Sequence, residues 1–262
     1  NSNFAVGIVI ESGSGMNFSF NNITTLGNDG VAVRLLFSRS TNISGNQLVT
    51  YGTTSNGINI YASNATYVAS NNITMYGSDL NSIAIGGDED GTPFSSHNNT
   101  IFNNVIRTFD NDARGIVGNI LSTHNNITMN NITTNGTSAF GIALSSHRND
   151  VVQGNMVITL GTSAYGLYLL NSNFTTTIQN NISTVNTTAY GIYFQNGHNN
   201  TITDDKVSAT GSFEIFADGD ATDNNLSNVV LRDDENLSSS SFRGISIVVN
   251  TSAPATPAEK SN

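Results

Sequence analysis

Few side chains in this protein can do chemistry, and most of those are carboxylates. The 262 residues include 19 Asp and Glu, nine Lys and Arg, four His and no Cys. Thiolate nucleophiles, thiolate metal sites and disulfides are therefore excluded together. Cleavage of a glycosidic bond needs two or three carboxylates within reach of that bond, one of them held protonated. The candidates are Asp204-Asp205, Asp88-Glu89-Asp90, Asp110 with Asp112, and Asp218, Asp220 and Asp223. Asp204-Asp205 is expected to turn outward at a bend. Two of these groups are also candidate calcium sites, because a hard cation takes clustered oxygen ligands. They are Asp88, Glu89 and Asp90, bracketed by glycines, and Asp218-Gly219-Asp220. The cofactor expectation is none, or Ca²⁺ at one of them. Basic partners are scattered singly (Arg34, Arg107, Arg148, Lys206, Arg232), and Arg107 near Asp110 and Arg114 near Asp112 read as surface ion pairs.

The four histidines, His97, His124, His147 and His198, recur in one turn of a repeating unit. Their offsets from the following apolar residue vary, so they read as solvated turn residues and not as a metal row. Phe140, Tyr165 and Tyr190 stand 25 residues apart, in Ser-Ala-Phe-Gly, Ser-Ala-Tyr-Gly and Thr-Ala-Tyr-Gly. An exposed aromatic column can bind sugar rings; one copied through a repeat is more often packing. Sixteen Asn-x-Ser/Thr sequons are present, among them Asn22, Asn42, Asn64, Asn72, Asn98, Asn126, Asn131, Asn181, Asn199 and Asn225. They are N-glycan acceptors only in a secreted chain.

What must position these residues is a 25-residue repeat. The apolar series Ile23, Leu48, Ile73, Ile106, Ile132, Val157, Ile182, Val207 advances by 25, 25, 33, 26, 25, 25 and 25 residues. Each unit alternates apolar and polar residues after a small residue, as in Gly57-Ile58-Asn59-Ile60, then shows a second strand near Val68 or Ile202 and a third beginning at Ile73 or Val207. Period two means strands, and no stretch offers a helical stripe. Three short strands in 25 residues suit one turn of a solenoid, so the expected fold is all-β: a right-handed parallel β-helix of about nine coils, three short strands each. Two residues before the third-strand apolar position stand Asn21, Asn46, Asn71, Asn104, Asn130, Asn155 and Asn180, then Asp205. That row reads as a structural asparagine ladder in which stacked amides bond along the axis, with Asn supplying the left-handed bend. The fourth coil is longer, and its extra residues fall within Gly86 to Phe94.

The Asn-Asn-Ile-Thr units at residues 21–24, 71–74 and 130–133 and the Gly-Ile-x-Ile strands resemble parallel β-helix repeats. Such repeats occur in the pectate-lyase-like superfamily, in the NosD-type periplasmic group and in archaeal and bacterial cell-surface proteins. The resemblance covers about residues 1–250 and speaks for fold. For function it implies lyases, hydrolases, adhesins and scaffolds alike. Lyases of this fold pair carboxylate-bound calcium with a Lys or Arg base. A polygalacturonase-like order is departed from, since Gly197-His198 precedes Asp204-Asp205 and no Arg-Ile-Lys follows.

Net charge is −10, which repels nucleic acid and anionic lipid. No apolar run approaches the ~18 residues of a membrane span. The start at Asn1 reads as a mature or excised chain with an uncapped first coil, which suits self-association. Residues 251–262 read as a Pro/Ala/Thr-rich linker or tail. The expected function is a non-catalytic extracellular structural or adhesive protein at the cell surface, a subunit of a filament or surface layer. Its partners would be further copies or neighbouring surface proteins. The alternatives are a carbohydrate-active lyase or hydrolase and a sugar-binding module.

Overall fold

The structure, a computed structural model, describes residues 6–89, 92–218, 220–231, 237–238 and 242–249. Residues 1–5, Asp90 and the 251–262 tail lie outside the described residues. The chain is an all-β solenoid of about nine coils whose strands form two parallel sheets, one of ten strands and one of eighteen. The ten-stranded sheet takes the first strand of each coil, from Val6–Glu11 through Asn56–Tyr61 to Ile215–Asp218. The eighteen-stranded sheet takes the second and third strands, such as Tyr67–Ala69 and Asn72–Met75. Third strands begin one residue before the apolar position read from sequence.

Register follows the repeat. Ile23 pairs with Leu48, Leu48 with Ile73, Ile73 with Ile106, and so on to Val207 with Leu231. Each of these side chains points into the solenoid because its strand alternates in and out. Ile58, Ile60, Val68, Ile73, Ile116 and Leu144 belong to one continuous buried core. At roughly 25 cal/mol per Å² of apolar surface removed from water, that core is the main favourable term. Coils approach closely at a glycine corner, where a Cβ on Gly77 would lie 2.0 Å from the Gly52 carbonyl oxygen.

The asparagine ladder runs through eight successive coils, from Asn21 to Asp205. Asn104 accepts at Oδ1 from the backbone N–H of Asn71 (3.0 Å) and from its Nδ2 (3.0 Å). Its own Nδ2 donates to Asn130 Oδ1 (3.0 Å) and to the Val68 carbonyl (3.0 Å). The same pattern joins Asn21 to Asn46, Asn46 to Asn71, Asn130 to Asn155 and Asn155 to Asn180. One expectation is corrected. The left-handed residue at this corner is the one before the ladder Asn: Phe20, Gly45, Ser70, Asn103, Met129, Gly154, Gln179 and Asp204 all have φ between 53° and 66°. The ladder amide is thereby turned inward, where its hydrogen bonds offset the cost of burial.

A second and a third ladder stand at the corner between the first and second strands of each coil. Ser38, Ser63, Ser96 and Ser122 each accept at Oγ from a backbone N–H one coil earlier, from Gly13 (3.2 Å), Ser38 (3.0 Å), Ser63 (3.2 Å) and Ser96 (3.0 Å). Beside them Asn99 bonds to Asn125, and Asn200 to Asn224. The fourth-coil insertion is an antiparallel hairpin in which Gly87 pairs with Phe94 and Glu89 with Thr92. Phe94 packs edge-on against Phe37 at 5.4 Å.

Asn104→Ala removes one amide and orphans buried partners on both neighbouring coils, so it is expected to destabilise by about 3 kcal/mol. Asn72→Ala, on the outer face, is expected to change stability by less than about 0.5 kcal/mol. Urea unfolding of the two variants beside the parent checks the contrast.

Candidate functional site

The aromatic column found in the sequence is the edge of a larger patch on the ten-stranded sheet. Phe140 and Tyr165 stack at 5.0 Å with rings 6° apart, and Tyr165 and Tyr190 at 5.2 Å and 11°. A second column, Tyr168, Tyr193 and Phe216, stands beside the first because strand register puts these three in line. The two columns meet edge to face at Tyr165 on Tyr193, 5.0 Å apart, and stack at Tyr190 on Phe216, 4.4 Å apart. Ring faces within the columns are therefore turned toward other rings, and the guanidinium of Arg114 covers Phe140 at 5.3 Å. What points outward is chiefly ring edge and hydroxyl, an arrangement that favours packing. Tyr168 donates to Gln195, and Tyr193 donates to Asp218 at 3.4 Å. Burial pushes the phenols of Tyr165, Tyr168 and Tyr193 up; a neighbouring phenol adds to it at the first two, and Asp218 at the third. All three stay protonated donors near neutral pH.

Asp218, proposed above as a calcium ligand, thus sits at the end of the aromatic patch. The Asp220 backbone N–H donates to Asn196 Oδ1 at 3.1 Å. Asp88 and Glu89 are placed only through their backbone pairing in the hairpin. Among the described residues no group of three or more His, Asp or Glu side chains is arranged to hold a metal ion. Arg114 does pair with Asp112, at 3.4 Å on the surface.

Two expectations about ionisable side chains are overturned. Asp205 does not turn outward: it is fully buried as the eighth rung of the asparagine ladder. It accepts from the Asn180 backbone N–H (2.6 Å), from Asn180 Nδ2 (3.0 Å) and from the hydroxyl of Thr177. Thr177 occupies a position filled in other coils by apolar residues such as Val152 and Ile202. An ionised carboxylate cannot donate as an amide would, and a core hydroxyl donates to it instead. Burial raises the Asp205 carboxyl from 3.8 to about 6, against the lowering effect of the Thr177 and Asn180 hydrogen bonds.

The second concerns His147, which is buried, not solvated. It takes a place in the serine ladder, between Ser122 and Ser172, and its ring fills space left by Gly118. A Cβ on Gly118 would lie 2.3 Å from His147 Cε1, where neighbouring coils carry Ile85 and Leu144. Its Nδ1–H donates to Asp150 Oδ2. Asp150 Oδ1 in turn accepts from the Asn125 backbone at 2.7 Å, completing a ladder rung. His97, half-buried, accepts at Nδ1 from the Thr123 backbone N–H at 3.2 Å, and its pKa is lowered first by burial and then by His124 and His147. His124 and His198 stay at the surface. The serine ladder and the His147–Gly118 exchange were missed in the sequence, although the serines keep the repeat spacing.

A cleft of about 430 Å³ opens beside the eighth rung, lined by Gln179, Asn181, Asp204, Lys206 and Asn228 among others. Asp204 accepts from the Asn228 amide there.

With this geometry in view, the comparisons place the chain among parallel β-helix proteins. Tailspike protein 2 from the Escherichia coli O157:H7 bacteriophage CAB120 superposes with a TM-score of 0.52 at 10% identity, over 83% of this chain and 31% of that one. The periplasmic alginate epimerase AlgG gives 0.46 at 11% identity, over 95% and 79%. The A-module of the Azotobacter vinelandii mannuronan C-5 epimerase AlgE4 gives 0.44 at 10%, over 94% and 90%. The likeness is one of fold. No protein-family model and no curated protein matches the chain.

Two outcomes follow from the buried groups. A folded-state value of about 6 against an ordinary 3.8 makes ionised Asp205 about 3 kcal/mol costlier inside the solenoid than in the unfolded chain. Its contribution to stability is complete below its ordinary value and is lost as pH rises through about 6. The parent-minus-Asp205→Asn difference in unfolding free energy should therefore fall by about 3 kcal/mol from about pH 3.5 to about pH 7. Gly118→Leu and His147→Ser should each destabilise, by overpacking and by a cavity, while the double variant loses less than their sum by at least about 1 kcal/mol. Denaturant titration of all four proteins measures the coupling.

Proposed function

We propose that this protein is a non-catalytic extracellular structural or adhesive surface protein. The observation that carries the reading is where its polar groups are spent. Asn, Ser and Asp side chains at two corners bond to the same positions one coil away. They stiffen the solenoid along its axis and converge on no common point outside it. The carboxyl with the raised pKa, Asp205, is sealed inside with acceptor sites committed to Thr177 and Asn180. The aromatic patch is likewise stacked against itself. A regular rod serves for assembly or attachment; an active site needs groups aimed at one reacting bond.

One observation favours a carbohydrate-active enzyme instead: the cleft beside Asp204 and Lys206 brings a carboxylate and an ammonium to one opening. Incubating the purified protein with pectate, alginate and related polyuronates separates the readings. No release of unsaturated or reducing sugar is expected. Release that disappears in Asp204→Asn would overturn the proposal in favour of the enzyme. Antibody labelling of intact cells should reach the protein without permeabilisation, and labelling only after lysis would refute a surface role.

A further inference from the structure

We infer that Asn22, Asn72, Asn131 and Asn181 are N-glycan acceptors forming a stripe along one face of the solenoid, with a glycan on every second coil. The inference rests on the extracellular reading above. The four asparagines share one register position, the first residue of the third strand. Between them, in the same column, stand Gln47, Val105 and Met156, and Lys206 follows Asn181. Sequons thus fall on coils one, three, five and seven. Neighbouring coils are ~4.8 Å apart, so the acceptors repeat every ~9.6 Å. One coil step is too narrow for two glycan stems side by side, and two steps leave room.

The fold supplies the exposure that a sequon alone cannot. In each Asn-Ile-Thr or Asn-Ile-Ser the central Ile points into the core, so the Asn and the hydroxyl residue both point out. Asn22, Asn72 and Asn181 are exposed and Asn131 half-exposed. None of the four side-chain amides has a hydrogen-bond partner among the described residues, unlike the ladder amide one residue earlier, which is buried and bonded at Asn71, Asn130 and Asn180 and half-buried and bonded at Asn21. Adjacent asparagines in one sequence pair therefore have opposite fates: Asn71 builds the ladder, and Asn72 is left for modification.

The rest of the molecule is arranged consistently. Asn17, Asn42, Asn126 and Asn225 carry sequons in the neighbouring outward column of the same sheet. Asn64, Asn98, Asn135, Asn173, Asn186 and Asn199 lie in the turns. Among the described residues no sequon asparagine lies in a strand of the ten-stranded sheet, which bears the aromatic patch; the sequon of Asn236 runs into that sheet at its last strand, Leu237–Ser238, and Asn236 lies outside the described residues. Glycans at the described sequons would therefore sheath the eighteen-stranded sheet and the turns and leave the aromatic columns from Phe140 to Tyr193 uncovered. Asn17 and Asn42 are on adjacent coils with Asn42 Nδ2 bonded to Asn17 Oδ1 at 3.1 Å, so a single molecule is expected to carry a glycan on at most one of them.

In the modification the asparagine Nδ2 forms a bond to the anomeric carbon of an oligosaccharide. The bond from that carbon to a polyprenyl phosphate or diphosphate donor breaks, and the amide proton leaves with the phosphate. No oxidant or reductant is needed.

The test secretes the full chain from a glycosylating eukaryotic host and maps peptides after enzymatic deglycosylation in ¹⁸O-water, which marks each formerly occupied Asn as Asp. The expected result is occupancy of all four positions in most molecules, and mutually exclusive occupancy of Asn17 and Asn42. Four bare positions in the secreted, folded protein would overturn the inference. The variant carrying Asn22→Gln, Asn72→Gln, Asn131→Gln and Asn181→Gln should lose four glycan masses and keep its β-sheet circular dichroism; the four single variants, each losing one mass, serve if the combined one fails to fold. Peptides from native cells that are bare at positions occupied in the secretory host would refute the extracellular reading and leave the acceptor geometry standing.

Discussion

Every coil of this protein is held to the next by hydrogen bonds that run along one axis at a single spacing. Backbone pairing sets that spacing, as in the exchange between Asn72–Met75 and Val105–Thr108. A buried side-chain amide can be satisfied only by a partner at the same distance. Each coil must therefore present the same kind of side chain at the same corner, or a neighbour must adapt. This requirement explains the periodic sequence, since a misplaced residue leaves orphaned donors on two coils at once.

The departures show how strict it is. Asp205 replaces an amide and loses its donor, and Thr177 enters the core with a hydroxyl to compensate. His147 replaces a serine with a larger ring, and Gly118 on the preceding coil yields the space. Asp150 replaces an amide in the second asparagine ladder and is matched by that same histidine. Thr177 and Gly118 are each distant in sequence from the residue they accommodate but adjacent along the axis, whereas Asp150 meets its histidine within one coil. The solenoid behaves as a one-dimensional array in which each coil answers only to its neighbours.

The outer surface is freed by this division of labour. Because the interior and corners carry the stability, outward columns can differ from sheet to sheet. The ten-stranded sheet collects stacked aromatic rings, while the eighteen-stranded sheet collects Asn-x-Ser/Thr units. Rings stacked on rings gain their contact energy from one another. Exposed asparagines without hydrogen-bond partners add little to stability, so nothing in the fold requires them at their positions.

Spacing alone determined the parallel β-helix, the asparagine ladder and its Asp205 rung, and the lengthened fourth coil, because a parallel stack repeats its register at every layer and one-dimensional order is then sufficient. Only the tertiary structure decided which way a side chain points at a corner. Met129 and Gln179 look unremarkable beside Asn130 and Asn180, yet they take the left-handed conformation that turns the asparagines inward. It also decided that Asp205 and His147 are inside, that the insertion is a hairpin, and that Tyr168, Tyr193 and Phe216 flank the aromatic column. Those outcomes depend on φ at single residues and on contacts between coils, and neither quantity is written in the period of a sequence.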